Sequence, residues 1–143
     1  MKKLIVVSVT ALGTAALAHS GVKNPDVMNR MIGMTELSQQ MKLIGDMAKE
    51  QTPFDAAAAN AALDLMTEEA SYIPSLFEIE ALDPKSEALP HIWTDFDDFT
   101  ARANALEQTT AELSGTVTEM NSLRVAVGRV GKACSACHET YRK

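Results

Sequence analysis

The 143-residue sequence predicts an all-α protein, an antiparallel four-helix bundle around one core. Four stretches repeat apolar residues at three-and-four spacing, turn signals built on Pro, Gly and Ser separate them, and no strand signal precedes the last of them. Each element follows in chain order.

The N-terminus reads as a secretory leader. Lys2 and Lys3 precede an apolar run from Leu4 to Leu17, and Ala16-Leu17-Ala18 supplies a small-x-small cleavage pattern. A spanning helix needs about twenty apolar residues, whereas this run is shorter and broken by Ser8, Thr10 and Thr14. The expected division is a signal peptide at 1–18, beginning the mature chain at His19, and one domain at 19–143, exported to the periplasm. No later apolar run is long enough to cross a bilayer.

Without Lys2 and Lys3 the mature chain has 11 basic against 19 acidic residues, a formal charge of −8. That excess argues against nucleic acid as a partner and would steer the protein toward a basic patch on another protein.

The first helix opens at Asn24-Pro25-Asp26, a cap, a first-turn proline and an acid at the positive end of the helix dipole, and is expected to reach about Gln51. Its apolar stripe is Met34, Leu37, Met41, Ile44 and Ala48. The second opens at Thr52-Pro53 and carries Ala62, Met66, Ala70 and Ile73 on one face before Pro74 ends it, with Phe77 packing just beyond. Residues 81–89 read as a loop. The third starts near Pro90, and its positions 92, 96, 99, 103, 106, 110 and 113 form a bundle seam. Thr116-Val117-Thr118-Glu119 has the form of a capping box opening the fourth, whose seam is Met120, Leu123, Val127, Val130, Cys134, Cys137 and Tyr141.

Cys134-Ser135-Ala136-Cys137-His138 is the C-x-x-C-H pattern of c-type haem attachment. Two thiols three residues apart can each add to a haem vinyl group, and the next imidazole can serve as proximal iron ligand. Structural zinc would need four ligands, but the remaining histidines are His19 and His91 and there is no third cysteine. A thioredoxin-like pair would follow a strand-helix pattern, and a disulfide at this spacing inside a helix is geometrically poor. One covalently attached haem c per chain is therefore expected. Because both cysteines continue the inward stripe, the haem belongs on the inner side of the last helix.

Four helices ending in this pentad resemble the class II c-type cytochromes, the family of cytochrome c′ and its low-spin relatives. The resemblance spans nearly the whole mature chain. It is carried by Arg30 and Met34, by Lys49-Glu50-Gln51-Thr52-Pro53-Phe54-Asp55, by Ile92-Trp93, and most specifically by Gly131 to Arg142. It implies that the first helix covers the distal side of the haem and that Met34 occupies the distal position. In the low-spin branch a methionine there is the sixth iron ligand and the protein carries electrons. In cytochrome c′ the same position only blocks the site, and the five-coordinate haem binds nitric oxide or carbon monoxide. Both readings stay open from the residues; the spacing from the second-helix proline to Met34 and the pair Phe96 and Phe99 look closer to the low-spin branch.

The resemblance also implies redox partner proteins and is compatible with a homodimer packed through the first two helices. It gives Arg30 a haem propionate as partner, with a solvated helix arginine as the alternative reading. Trp93 reads as core or haem-edge packing, and the remaining methionines as gap-fillers. Asp95, Asp97 and Asp98 read first as helix-dipole residues and second as a docking patch, while Lys132 and Arg142 fit the dipole at the last turns of the fourth helix. Neither function calls for a general acid, base or nucleophile, so no enzyme is expected.

Overall fold

The computed structural model describes residues 21–143. Among them α1 spans Pro25–Ala48, α2 Ala56–Leu76, α3 Phe96–Leu113 and α4 Met120–Tyr141, with a 3-10 turn at Pro90–Ile92 ahead of α3. The leader expected at 1–18 lies outside the described residues. α1 packs on α2 and α4, and α3 packs on the same two helices, so the four close into a ring. The expected bundle is present.

Local chemistry explains the helix ends. Asn24 Oδ1 accepts from the amides of Asp26 and Val27 at 2.9 and 3.1 Å, capping α1 where the sequence placed it. The far end comes earlier than expected, at Ala48, because Glu50 adopts φ 60°. Its amide donates to Met47 O at 2.9 Å and that of Gln51 to Asp46 O at 2.9 Å, the paired bonds of a Schellman stop. A non-glycine residue in this left-handed region is strained by about 1 kcal/mol. The Glu50–Arg124 ion pair, 2.6 Å long, joins side chains that are both more than half exposed and offsets little of that strain. Glu50→Gly is therefore expected to stabilise the fold by up to about 1 kcal/mol, read as a higher urea midpoint. An unchanged or lower midpoint would refute the strain.

Four other boundaries are corrected. α2 starts at Ala56, not at Thr52-Pro53, because Asp55 Oδ1 caps the Ala58 amide at 3.0 Å. It runs through Pro74 to Leu76, since a proline in the last turn forfeits one backbone bond without blocking the rest. α3 starts at Phe96, six residues after Pro90, which instead opens the short 3-10 turn. Before α4, Thr116 Oγ1 donates back to Leu113 O at 2.7 Å and so closes α3. The α4 start is held by Ser122, whose Oγ accepts from the amides of Thr118 and Glu119 at 3.1 Å each.

The core matches the second-helix face: Ala62, Met66, Ala70 and Ile73 are all buried, with Phe77 beside them. Of the expected third seam, Ile92 in the 3-10 turn and Phe99, Ala103, Leu106, Thr110 and Leu113 on α3 are buried, and Thr67 Oγ1 donates to Thr110 Oγ1 at 2.9 Å. The first and fourth stripes divide. Leu37 and Ile44 on α1, and Leu123 and Val130 on α4, are buried, whereas Met34, Met41, Ala48, Met120, Val127, Cys134 and Cys137 are partly open at the core margin. Most of the partly open residues lie along the α1–α4 seam, the loosest of the four helix interfaces.

The long connection between α2 and α3 is fastened at several points. Arg30 is 3% exposed and donates from Nε to Leu76 O at 2.7 Å, from Nη1 to Ala81 O at 2.8 Å, and from Nη2 to Ile79 O. Its guanidinium lies over the rings of Phe77 and Trp93, 4.6 and 5.3 Å from their centroids. Trp93 Nε1 donates to Phe77 O at 2.8 Å. The connection also meets the C-terminus: Leu89 N donates to Tyr141 O and Lys143 N to Glu87 O, both at 2.9 Å. The solvated reading of Arg30 is thus overturned, because three carbonyls at the negative end of α2 and just beyond it recruit the guanidinium inward.

Candidate haem site

The pentad lies in the last two turns of α4. Cys134, Cys137 and His138 are all half-buried, and the two cysteines form no disulfide. Burial pushes both thiols above their ordinary range; for Cys137 the Arg102 guanidinium works against that rise. Burial, helped by Arg142, lowers the His138 imidazole pKa, which favours the neutral form that can ligate iron.

Helix register decides what faces these groups. Arg124 Nε reaches Ala48 O at 3.3 Å, and a Cβ added at Gly131 would meet Met41 Cε at 3.6 Å. From 48 to 41 on α1 and from 124 to 131 on α4, each chain advances two turns, about 10 Å, in opposite directions. An equal further step would pair position 34 of α1 with position 138 of α4. Met34 is on the margin of the core together with Cys134, Cys137, Trp93 and Phe96.

The residues fit a c-type haem. Two thiols three residues apart and the imidazole that follows them share the last turns of α4, at the margin of an apolar core. Among the described residues no three His, Cys, Asp or Glu side chains converge in a way that could hold a bare metal ion.

Sequence reasoning missed the polar frame behind the pentad. Tyr141, 3% exposed, places its hydroxyl 2.8 Å from Asp95 Oδ2 and 2.7 Å from Asp98 Oδ2. Burial first, and then these carboxylates, hold its pKa well above that of an ordinary phenol, so it stays a donor. The bond from Tyr141, and next the one from Arg102, lowers the Asp98 pKa. Arg102 Nε donates to Asp98 Oδ2 at 2.6 Å and Nη1 to Thr140 Oγ1 at 3.1 Å and to Ala136 O. The Asp98/Arg102 pair, four residues apart, was the signal available in the sequence. The bonds to Ala136 and Thr140 join helices far apart in the chain and had no local signature. Asp95 and Asp98 thus anchor the last helix as well as facing the α3 dipole. Arg142 pairs with Glu87, and His91, exposed as expected of a residue beside Pro90, lies against the Tyr141 ring at 5.2 Å.

A family model described as Cytochrome C′ matches residues 26–142. The chain belongs to the cytochrome c′ family. As a member it is a monohaem c-type cytochrome with covalently attached haem. It is similar to cytochrome c-554 of Cereibacter sphaeroides, 40% identical over 117 residues that cover 77% of this chain and 75% of the relative. It is also similar to cytochrome c-556 of Agrobacterium fabrum, at 34% identity over 110 residues, 76% of this chain and 75% of that one. Among solved structures, an NMR-validated structural model of oxidised R. palustris cytochrome c556 superposes with a TM-score of 0.76 at 28% identity, covering 85% of this cytochrome and 98% of that chain.

Proposed function

We propose that this cytochrome is an exported electron carrier, with haem bound through Cys134 and Cys137 and iron ligated by His138 and Met34. The ligand set is supported by the α1–α4 contacts of Arg124 with Ala48 and of Met41 beside Gly131, whose spacing, continued by seven residues, pairs position 34 with position 138. The c-554 and c-556 relatives support the carrier function over gas binding. Haem, when bound, supplies an iron that can cycle between two oxidation states. The chain does the rest: the thiols fix the group to α4, His138 offers a neutral imidazole, and the soft thioether of Met34 favours the reduced state. No acid–base group is needed, consistent with a carrier rather than an enzyme.

Residues 1–18 are proposed as the periplasmic leader and 19–143 as the working domain. Among the described residues no helix is long and apolar enough to cross a membrane. Redox partners with a basic patch fit the net charge of −8. Around the pentad, Arg102, Arg129 and Arg142 each pair with an acid. Exposed Ile32 and Leu43 on α1, and Leu65 and Tyr72 on α2, support a homodimer through those helices.

Spectra test the ligand set. The oxidised protein should be low-spin with a weak near-infrared sulfur-to-iron band, and carbon monoxide should bind the reduced form slowly because it must displace a ligand. Met34→Ala should give a high-spin or water-ligated spectrum, a lower potential and faster carbon monoxide binding. A wild type already high-spin would falsify the Met34 ligation and make that residue a steric lid.

A further inference from the structure

We propose that Arg102 is a positioning residue for the haem-attachment turn, setting both its rotation and the charge beside it. One guanidinium on α3 reaches two points on α4 that bracket His138: Ala136 O, between the two cysteines, and Thr140 Oγ1, two residues after the histidine. The guanidinium is itself held from one turn earlier on α3 by Asp98, whose carboxylate also receives the buried Tyr141 hydroxyl. Arg102 Cζ sits 5.5 Å from the centroid of that same tyrosine ring. Every partner of the cation is thus part of α3 or of the last two turns of α4.

Such a fork fixes angle as well as distance. A helix rotated about its axis carries Ala136 O and Thr140 Oγ1 away from a planar donor together, so the bonds resist rotation of the segment that presents Cys137 and His138. The Arg102 side chain is 34% exposed, which leaves its charge less screened than a freely solvated one. A fixed positive charge beside the attachment turn disfavours the oxidised state, which carries one more positive charge than the reduced state. Loss of Arg102 removes that charge and leaves the Asp98 carboxylate uncompensated, and both changes lower the potential.

The inference rests on attachment of haem at the pentad and not on ligation by Met34. The test compares holoprotein of wild type, Arg102→Lys and Arg102→Gln by midpoint potential, by electron paramagnetic resonance of the oxidised form, and by thermal melting. Arg102→Gln should shift the potential downward and change the g-values. Arg102→Lys should keep most of the potential, because the charge remains, yet change the g-values, because the fork is lost. If both variants melt earlier while potential and g-values stay at the wild-type positions, Arg102 only ties two helices together and the proposal is overturned. Should Arg102→Gln fail to retain haem, unchanged g-values in Arg102→Lys overturn it equally. Both readouts exist with or without a sixth ligand, so a high-spin wild type would count against Met34 and leave this comparison intact.

Discussion

Changing Cys134 and Cys137 together to alanine is expected to remove essentially all covalently held haem. The two thiols are the chain's entire cysteine content, so no other side chain can form a thioether link. In wild type, acidified acetone should leave the colour with the protein; in the double variant it should extract whatever haem remains. His138→Ala leaves both thiols in place but deletes the half-buried imidazole, for which the turn offers no substitute, and stable holoprotein should again be lost. Far-UV circular dichroism separates failed attachment from failed folding. The buried residues of α4, Leu123, Ala126 and Val130, pack against other protein side chains, so the haem-free variants should retain much of their helix. Haem that survives denaturation in the double-cysteine variant would place the attachment elsewhere.

Arg30→Met is expected to destabilise the fold by about 3 to 5 kcal/mol, a large share of the roughly 5 to 15 kcal/mol that holds a domain of this kind together. Hydrogen bonds to a charged group contribute about 1.5 to 3 kcal/mol each, and three carbonyls lose theirs together, though such terms do not add fully. Methionine keeps part of the packing against Phe77 and Trp93 but offers no donor. Arg30→Lys should recover only part of the loss, because an ammonium cannot present the same planar fork to Leu76, Ile79 and Ala81. Equilibrium unfolding in urea of all three proteins measures this, and a loss under 1 kcal/mol for Arg30→Met would show that the α2–α3 connection is held by other contacts. The haem spectrum offers a second reading of the same variants. Among the described residues the backbone engages Nε, Nη1 and Nη2 of Arg30, and a spectral change in Arg30→Lys would support the propionate role that the family resemblance implies.

Element existence was legible from periodicity because an amphipathic stripe is a local property: residues three and four apart share a face whatever the helix later packs on. The stripes of α2 and α3 are nearly the buried sets observed. Boundaries were less legible, because several residues compete for each cap. Thr116 suits a helix start, but the extended backbone at Glu119 makes that residue the cap, with Ser122 at the third helical position accepting from its amide. Pro74 was read as a stop, but a proline in a final turn removes a single donor and α2 continues for two residues.

The covalent site was written in the sequence outright. Two cysteines, a histidine and their spacing point to thioether attachment and to the proximal ligand proposed above without reference to any other part of the chain, since all three lie within two turns of one helix. The opposite wall was not so specified. Whether position 34 pairs with position 138 depends on how α1 slides along α4, which is marked by the closeness of Met41 to Gly131 and by the bond from Arg124 to Ala48. Likewise, the inward turn of Arg30 depends on carbonyls 46 to 51 residues away, and the grip of Arg102 on Ala136 and Thr140 spans 34 and 38 residues. Long polar side chains can satisfy themselves in water or against a distant backbone, and the sequence assigns both options the same letter. Only the packed helices, by removing water from one of them, decide which is taken.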